Sequence, residues 1–220
     1  MCGRFAVTLP PDAMAQLFAA APDNDVPGEP DYNVCPTDRI AVVRAGAEGG
    51  PRRLSGMRWG FLPHWYKAPN DGPLLINARA ETVAEKPAFR AAARARRALV
   101  PMAGFYEWDR SGKSKLPWFI HRADGAPLVA AALWQDWARE GDTLTTCAIV
   151  TTESRGPMAD IHNRVPVILD PADWPLWLGE DGHGAARLMT APGDDILAMH
   201  RVGTEVNSNR AEGPDLIAPI

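Results

Sequence analysis

Short apolar and β-branched runs separated by turns recur along the chain, most densely in its second half, and they constrain the fold more than any other feature. Proline and glycine (21 and 19 residues) are scattered, as expected for many turns between short elements. Strands and helices do not alternate regularly, which disfavours a sheet built from βαβ units. We therefore predict one α+β domain, residues 1–220, with a curved, partly barrel-like antiparallel or mixed sheet and peripheral helices. The predicted strands span residues 4–8, 40–44, 54–59, 98–102, 118–121, 128–133, 144–151 and 165–169.

The first predicted helix follows Thr8 or Asp12, one of which would cap it. Its apolar face would consist of Met14, Leu17 and Phe18, which recur at helical spacing. The other predicted segments are a loop over residues 21–33, a helix over 84–95 with Pro87 near its start, and short helices over 171–178 and 185–189.

Composition bounds the class of protein. The chain is 46% hydrophobic and contains 8 Trp and 6 Phe, enough for a sizeable core. No apolar run approaches the roughly 20 residues of a membrane span, and the N-terminus lacks the basic and apolar regions of a signal peptide. The net charge of −4 argues against a generic nucleic-acid coat protein, but it leaves room for a local basic groove.

The three cysteines, Cys2, Cys35 and Cys147, are odd in number and far apart. This spacing matches neither a zinc site nor a disulfide framework, so a reduced, cytoplasmic setting is expected. Cys147 lies in the run TLTTCAIVTT and is predicted to face the core. Cys2 follows Met1 directly, and if Met1 is removed it carries both a free α-amine and a thiol. The simpler alternative is that Cys2 is only a small residue at the start of a strand.

Four segments place reactive groups within apolar surroundings: MCGRF at 1–5, INARAE at 76–81, GFYEW at 104–108 and DIHNRVP at 160–166. Each candidate also has a simpler interpretation. Glu107 is either an exposed edge carboxylate or a partly desolvated one suited to proton transfer. His162 alone is more often structural, Asn77 a turn or cap residue, and Arg79 a surface charge.

Taken together, the motifs resemble those of the SRAP (SOS response-associated peptidase) family, whose bacterial and human members shield abasic sites in single-stranded DNA. MCGRF, YNVCP, WGFLP, INARAET, GFYEW and DIHNRVPVIL occur in the family's order and spacing, followed by VNSNR, so the resemblance covers almost the whole chain. It implies the SRAP fold and an enzyme that forms a covalent DNA–protein crosslink, with AP lyase-type and self-processing peptidase activities as further expectations.

The resemblance also assigns roles to individual residues. Cys2, after removal of Met1, would react with the ring-opened aldehyde of an abasic site, first as a Schiff base and then as a thiazolidine ring. Asn77 would hydrogen-bond Cys2, Glu107 would shuttle protons, and His162 would assist ring opening. The expected DNA contacts are Arg4 and Arg79 to phosphates, Asn33 and Thr151 to the backbone, and Pro36 and Trp65 as a wedge against neighbouring bases.

The expected partner is single-stranded DNA containing abasic sites, and no membrane is expected to take part. The protein is expected to be a monomer, cytoplasmic and associated with the nucleoid when bound to DNA. No metal or organic cofactor is expected, because the histidines lie far apart and no phosphate-cradling glycine loop occurs.

Two other classes of function stay open at this point. An N-terminal-nucleophile thiol peptidase or amidohydrolase would use the Cys2 amine as the base and Asn77 as an oxyanion donor. A non-catalytic single-stranded DNA-binding module would use Cys2 only structurally.

Cys35 stands where family members commonly carry alanine, and it is either inert or able to pair with Cys2 under oxidation. In the aromatic segment RWGFLPHWYK, residues 58–67, Trp59 and Phe61 are assigned to the core and Trp65 to the surface. The basic run 90–97 (RAAARARR) is either a solvated helix face or a groove flank, and Lys113 and Lys115 receive no role.

Overall fold

Two β-sheets that pack on a shared apolar core make up most of the fold. The structure is a computed structural model, and it describes residues 2–23, 25–47, 50–112 and 114–220. Within these ranges the strands are β1 (Phe5–Val7), β2 (Ala20–Pro22), β3 (Asp31–Val34), β4 (Arg39–Arg44), β5 (Arg52–Trp59), β6 (Asn77–Arg79), β7 (Arg97–Met102), β8 (Gly104–Asp109), β9 (Leu116–Arg122), β10 (Leu128–Arg139), β11 (Asp142–Glu153), β12 (Arg164–Pro166) and β13 (Leu197–Arg201).

The first sheet is antiparallel and places the N-terminal strand in its interior. Its strand order is β13-β9-β8-β1-β3, and Phe5 of β1 pairs with Val34 on one side and Phe105 on the other. Gly104 is required at the start of β8, because a Cβ there would lie 2.4 Å from Cζ of Phe119. This close approach of β8 and β9 fixes the GFYEW segment beside β1.

The second sheet closes on itself. Its order is β12-β11-β10-β7-β4-β5-β2, and β11 also pairs in parallel with β5 and with β6. The path β5-β4-β7-β10-β11 therefore returns to its start, which confirms the predicted curved, partly barrel-like sheet in an α+β fold.

The core has two large parts. One contains apolar side chains from both sheets, including the edge-to-face pair Phe5 and Trp59 with ring centroids 4.9 Å apart. The other lies between the second sheet and the helices. Trp59, Phe61 and Cys147 are fully buried, as the sequence predicted, and Trp65 is 43% exposed.

The helices are short and peripheral. Those in the described ranges are α1 (Pro11–Leu17), α2 (Arg90–Ala95), α3 (Gly156–Ile161) and α4 (Trp174–Leu178), with 3₁₀ turns at Pro171–Asp173, Ala185–Leu188, Thr204–Asn207 and Pro214–Ile217. None of the helices formed by the described residues is both long and apolar enough to cross a membrane.

Several sequence predictions about local structure are wrong. The predicted loop over residues 21–33 contains the end of β2 and most of β3. No side chain caps α1, whose N-cap is Pro10, so neither Thr8 nor Asp12 has the predicted role. Leu17 is 43% exposed rather than part of the buried face.

The helix predicted over residues 84–95 begins only at Arg90. Pro87 disfavours helical backbone at Lys86 and has no N–H to donate. The preceding residues form hydrogen-bonded turns, for example from the N–H of Lys86 to the carbonyl of Thr82. Strand β12 is also shorter than the run predicted over residues 165–169.

Candidate active site

Cys2 lies just before β1, fully buried in the core between the two sheets. Asn77 reaches it from the first position of β6, and its Nδ2 donates a hydrogen bond to the carbonyl oxygen of Cys2 at 2.9 Å. The structure thus joins these two predicted residues, through the main chain of Cys2. Strand β6 is held by its parallel pairing with β11, where Asn77 lies opposite Ile149.

Glu107 approaches the same place from β8. The pairing of Phe5 with Phe105 continues through a 2.9 Å hydrogen bond from the N–H of Tyr106 to the carbonyl of Arg4. Residues two apart in a strand share a face, so Glu107 lies on the same side as Phe105, towards the inter-sheet core. Its side chain is almost completely buried. Burial, reinforced by the negative charge of Glu107, raises the pKa of the Cys2 thiol well above its usual range.

His162 completes the group from the C-terminal end of α3. Its Nδ1 lies 3.7 Å from Oε1 of Glu107, a distance of an ion pair when the ring is protonated. Nδ1 also lies 3.0 Å from the main-chain nitrogen of Arg164 and 3.2 Å from its carbonyl oxygen, so the tautomer of the ring decides which of these two hydrogen bonds forms. The hydroxyl of Ser154 donates to the carbonyl of His162 at 2.5 Å and fixes the main chain there.

These contacts place a carboxylate beside Cys2 and an imidazole next to that carboxylate. A carboxylate and an imidazole are the side-chain groups that most often accept and donate protons in general acid–base chemistry. The four residues chosen as catalytic from the sequence, Cys2, Asn77, Glu107 and His162, thus occupy one site. Met1 lies outside the described residues, and its removal stays a prediction.

A cleft of about 520 Å³ opens beside His162. It carries the guanidinium groups of Arg79, Arg110 and Arg164 and is therefore basic, in spite of the protein's net negative charge. Arg79 and Arg110 are exposed. The remaining lining residues are Ile76, Glu153 and Asn163. The cleft is suited to an anionic ligand that reaches towards His162.

Arg164 was missed by the sequence analysis, although it lies within the DIHNRVP motif. Its guanidinium donates to both carboxylate oxygens of Glu81, at 2.8 and 3.0 Å, and to the carbonyl of Thr151 at 2.6 Å. The hydrogen bonds from Arg164 lower the pKa of Glu81 to about 2. Thr151 is fully buried in β11, and its carbonyl oxygen holds the Arg164 guanidinium through this hydrogen bond. Its predicted contact with the DNA backbone stays a prediction, but the structure gives it an internal partner.

Arg4 and Asn33 are joined directly. Nη1 of Arg4 donates to Oδ1 of Asn33 at 2.6 Å and to the carbonyl of Val206 at 3.0 Å, and the guanidinium lies 5.8 Å from the ring centre of Trp108. Asn33 is only 6% exposed. Its amide is thus engaged inside the protein, and a direct contact with DNA stays a prediction for this residue as well.

Pro36 and Trp65 lie on two different loops. Pro36 is half-buried in a turn closed by a hydrogen bond from the N–H of Asp38 to the carbonyl of Cys35 at 3.1 Å. Within this turn Thr37 has φ of +82°, an unfavourable conformation for a side chain branched at Cβ, and its N–H donates to the carbonyl of Trp59. This anchorage holds Pro36 in a fixed place at the surface.

Cys35 and Cys2 are free thiols in different surroundings. Cys2 is fully buried with Val34 in the inter-sheet core, whereas Cys35 follows β3 and is half-buried. The Sγ of Cys35 lies 3.1 Å from the carbonyl oxygen of Asn33 and 3.9 Å from that of Asn209. Pairing of Cys35 with Cys2 under oxidation stays a prediction. Across the described ranges, no group of three or more histidine, cysteine or acidic residues could hold a metal ion.

Comparison with solved structures supports the fold. The structure superposes on the crystal structure of a protein from Bacteroides thetaiotaomicron with a TM-score of 0.88, covering 100% of both chains at 21% sequence identity. At this identity the likeness concerns the fold alone.

The sequence is similar over its full length to those of two proteins named for abasic site processing. It is 37% identical to the abasic site processing protein YoqW of Bacillus subtilis, covering 99% of each chain, and 32% identical to the abasic site processing protein YedK of Escherichia coli, covering 100% of each. The family model of the SOS response associated peptidase (SRAP) matches residues 1–209. With six motifs in order, a shared fold and this match over nearly the whole length, the chain belongs to the SRAP family.

Proposed function

We propose that the protein recognises abasic sites in single-stranded DNA and captures them through a covalent bond to Cys2. The observation that carries the proposal is the grouping of Cys2 with Asn77, Glu107 and His162, the last of which also lines a basic cleft. The names of the relatives, which are abasic site processing proteins, support the choice of substrate.

The chemistry needs both nucleophiles of an N-terminal cysteine. An α-amine has a pKa of about 7.7–8.0, so part of it is neutral at cellular pH. The neutral amine adds to the aldehyde of the ring-opened sugar and loses water to give a Schiff base. The thiol of the same residue then adds to the imine carbon, its proton passes to the nitrogen, and a five-membered thiazolidine ring closes. This second attack is intramolecular and is therefore strongly favoured by proximity.

The neighbouring residues provide the proton transfers. Glu107 accepts a proton from the attacking amine and returns one to the departing hydroxyl, and His162 assists the opening of the sugar ring. Because burial keeps the Cys2 thiol protonated, the amine reacts first and the thiol needs a base at hand. Asn77 holds the carbonyl of Cys2 and thus fixes the direction from which the amine attacks.

The strand itself would lie along the basic cleft. Arg79 and Arg110 offer exposed guanidinium groups to phosphates, which is the common way in which proteins hold a nucleic-acid backbone. Trp65 would stack on a base next to the lesion, an interaction that tolerates any sequence. Arg164 would contribute its positive charge while Glu81 and Thr151 hold it in place.

An adduct assay tests the proposal. Protein whose loss of Met1 has been verified by mass spectrometry is incubated with a single-stranded oligonucleotide carrying one abasic site, and products are separated on a denaturing gel after heating. We expect a heat-stable adduct with the native chain and with Cys35→Ala, and none with Cys2→Ala. Cys2→Ala and Cys2→Ser both keep the α-amine of residue 2, so each should give only an imine, which survives heating only after it has been trapped with borohydride. A heat-stable adduct with untrapped Cys2→Ala, or none with the native chain, would refute the proposal.

The two alternatives are separated by experiment. Nδ2 of Asn77 has two N–H donors and gives one to the carbonyl of Cys2, so this hydrogen bond is compatible with covalent capture and with an oxyanion donor in a hydrolase. A module with a purely structural Cys2 would not require Glu107 and His162 beside it. Repeated peptide turnover without DNA would favour the hydrolase, and equal affinity for intact and abasic strands without an adduct would favour the binding module. The monomeric state and a cytoplasmic, nucleoid-associated location are part of the same proposal.

A further inference from the structure

Residues 206–211 (VNSNRA) lie against the first sheet at its edge strand β3, which pairs with the N-terminal strand β1. We call this segment the brace. Asn33 holds it, because its Nδ2 donates to the carbonyl oxygens of Ser208 at 3.1 Å and Ala211 at 2.7 Å. A nearly buried amide on β3 is thus used entirely for internal contacts.

The brace also holds Arg4. Nη1 of Arg4 donates to the carbonyl of Val206 and to Oδ1 of Asn33, so that one nitrogen is bonded to the brace and to the residue that anchors it. The guanidinium faces the ring of Trp108, whose Nε1 donates to Oδ1 of Asn207 in the brace at 2.6 Å. Arg4 is therefore fixed from three directions.

This arrangement leaves the positive charge of Arg4 available to an anionic ligand. Among the described residues the hydrogen bonds of its side chain engage Nη1 alone, and no carboxylate is paired with it. A guanidinium presents five N–H donors in a rigid fork. The edge formed by Nε and Nη2 can thus meet a phosphate without giving up the contacts that orient the group.

We propose that Asn33 and the brace are positioning elements that fix the Arg4 guanidinium for a DNA phosphate, and that Asn33 does not itself touch the DNA. The proposal rests on the function proposed above, since it assumes that a DNA strand passes Arg4. An arginine that is ordered in the free protein loses less conformational freedom on binding than a mobile one, so it binds the DNA phosphate with higher affinity. The sequence gives little indication of this positioning role, because both hydrogen bonds from Asn33 to the brace go to main-chain carbonyls.

A double-mutant cycle separates positioning from direct contact. The cycle is measured in the Cys2→Ala protein, where no adduct can form, as the affinity for an intact single-stranded oligonucleotide at several salt concentrations. We expect Asn33→Ala to weaken binding about 3- to 10-fold, the range that ordering one long side chain supports. Adding Asn33→Ala to Arg4→Ala should then cause no further loss, because both changes remove the same phosphate contact. Additive losses would mean that Asn33 contacts DNA directly, and an unchanged affinity of Asn33→Ala would mean that Arg4 needs no positioning; either result overturns the proposal.

Two further measurements exclude a general effect on folding. Ser55→Ala removes a buried hydrogen bond to Asp23 in the second sheet and should leave DNA affinity unchanged at a comparable loss of thermal stability. Cys35 reports on the brace, because its Sγ lies between the carbonyls of Asn33 and Asn209. In a Cys2→Ala, Cys147→Ala background, Asn33→Ala should raise the rate of Cys35 alkylation, and an unchanged rate would show that Asn33 does not hold the brace.

The failure of this proposal can be told from the failure of the function itself. If the native chain forms no adduct with abasic DNA, the covalent function fails while the non-covalent cycle still gives its result. If the Cys2→Ala protein has no measurable affinity for single-stranded DNA, the positioning proposal is overturned whatever the adduct assay shows.

Discussion

Nδ1 of His162 lies 3.7 Å from Oε1 of Glu107, a carboxylate that is only 3% exposed. The two residues come from distant parts of the chain, one from the end of α3 and one from the middle of β8. Burying a carboxylate is costly unless it is paired or hydrogen-bonded, and His162 faces this one at ion-pair distance. The pair forms the link between the basic cleft, which His162 lines, and Cys2.

Glu107→Gln should separate chemistry from binding. The amide keeps the shape of the side chain but cannot accept a proton, so we expect adduct formation to slow by about 10²-fold, the lower end of the usual contribution of a general base. Affinity for intact single-stranded DNA should change less than about twofold, since Glu107 is buried away from the cleft surface. Rapid-quench kinetics measure the first quantity and fluorescence anisotropy the second. An equal loss in both would assign Glu107 to binding.

Arg79→Ala should weaken DNA binding in a salt-dependent way. Loss of one phosphate contact is expected to lower the slope of log K against log salt by about 0.7 for a single strand. Arg90→Ala is the matched control, because Arg90 is also exposed but lies on α2, outside the cleft. A change of slope in Arg90→Ala as large as that in Arg79→Ala would mean that the strand does not follow the cleft.

Trp65→Ala and Trp59→Ala should have opposite effects on binding and stability. Trp65 is 43% exposed, so its truncation should leave the free energy of unfolding nearly unchanged but remove about 1–3 kcal/mol of stacking energy with DNA. Trp59 is fully buried, and its truncation should cost about 3–5 kcal/mol of stability. Chemical denaturation and oligonucleotide titration of both variants give the comparison. Unchanged DNA affinity in Trp65→Ala would remove it from the proposed wedge.

The ion pair of Glu81 and Arg164 should stabilise the protein at neutral pH, and this stabilisation should be lost in acid when Glu81 is protonated. The pKa of Glu81 is lowered to about 2, below its unfolded value of about 4.3. The ion pair therefore contributes fully to the stability of the protein above about pH 4.3. It is lost as the pH falls from about 4.3 to 2. Glu81→Gln should therefore lower the melting temperature at pH 7, and the difference from the native chain should shrink steadily towards pH 2. A difference that is constant across this range would contradict the assignment.

Buried thiols should make the protein sensitive to alkali. Burial raises the pKa of Cys147 above the value of about 8.5 that a free thiol has in the unfolded chain. Its contribution to stability is therefore present below about pH 8.5 and is lost as the pH rises, at up to about 1.4 kcal/mol per pH unit. Unfolding free energies at pH 7 to 10 should fall less steeply for Cys147→Ala than for the native chain. Parallel curves would show that Cys147 does not titrate on unfolding.

The sequence predicted those parts of the fold that depend on local pattern. Runs such as the one around Cys147 contain enough β-branched and apolar residues to be recognised as strands. Strands β2 and β13 carried no such signal, since β2 ends at Pro22 and β13 is only half-buried along its length. Both exist because they pair with neighbouring strands, which a local pattern does not record.

The site was predictable to a similar extent. Cys2 and Glu107 lie within recognisable motifs, and the structure brings them together as expected. The support of Arg164 by Glu81 and Thr151 was not foreseen, because it joins residues far apart in the chain and depends partly on a main-chain carbonyl. The internal partners of Asn33, which are Arg4 and two main-chain carbonyls, were likewise not foreseen, and its contact with DNA stays a prediction.

The parallel pairing of β6 with β11 has a consequence for the order of events during synthesis. Cys2 is made first, Asn77 gains its supporting strand only when residue 149 has been added, and His162 comes later still. Domains acquire long-range pairings only after the distant segments exist. A nascent chain halted before His162 is added would carry Cys2 without that imidazole, so the proposed capture site becomes complete only after about three quarters of these residues have been joined.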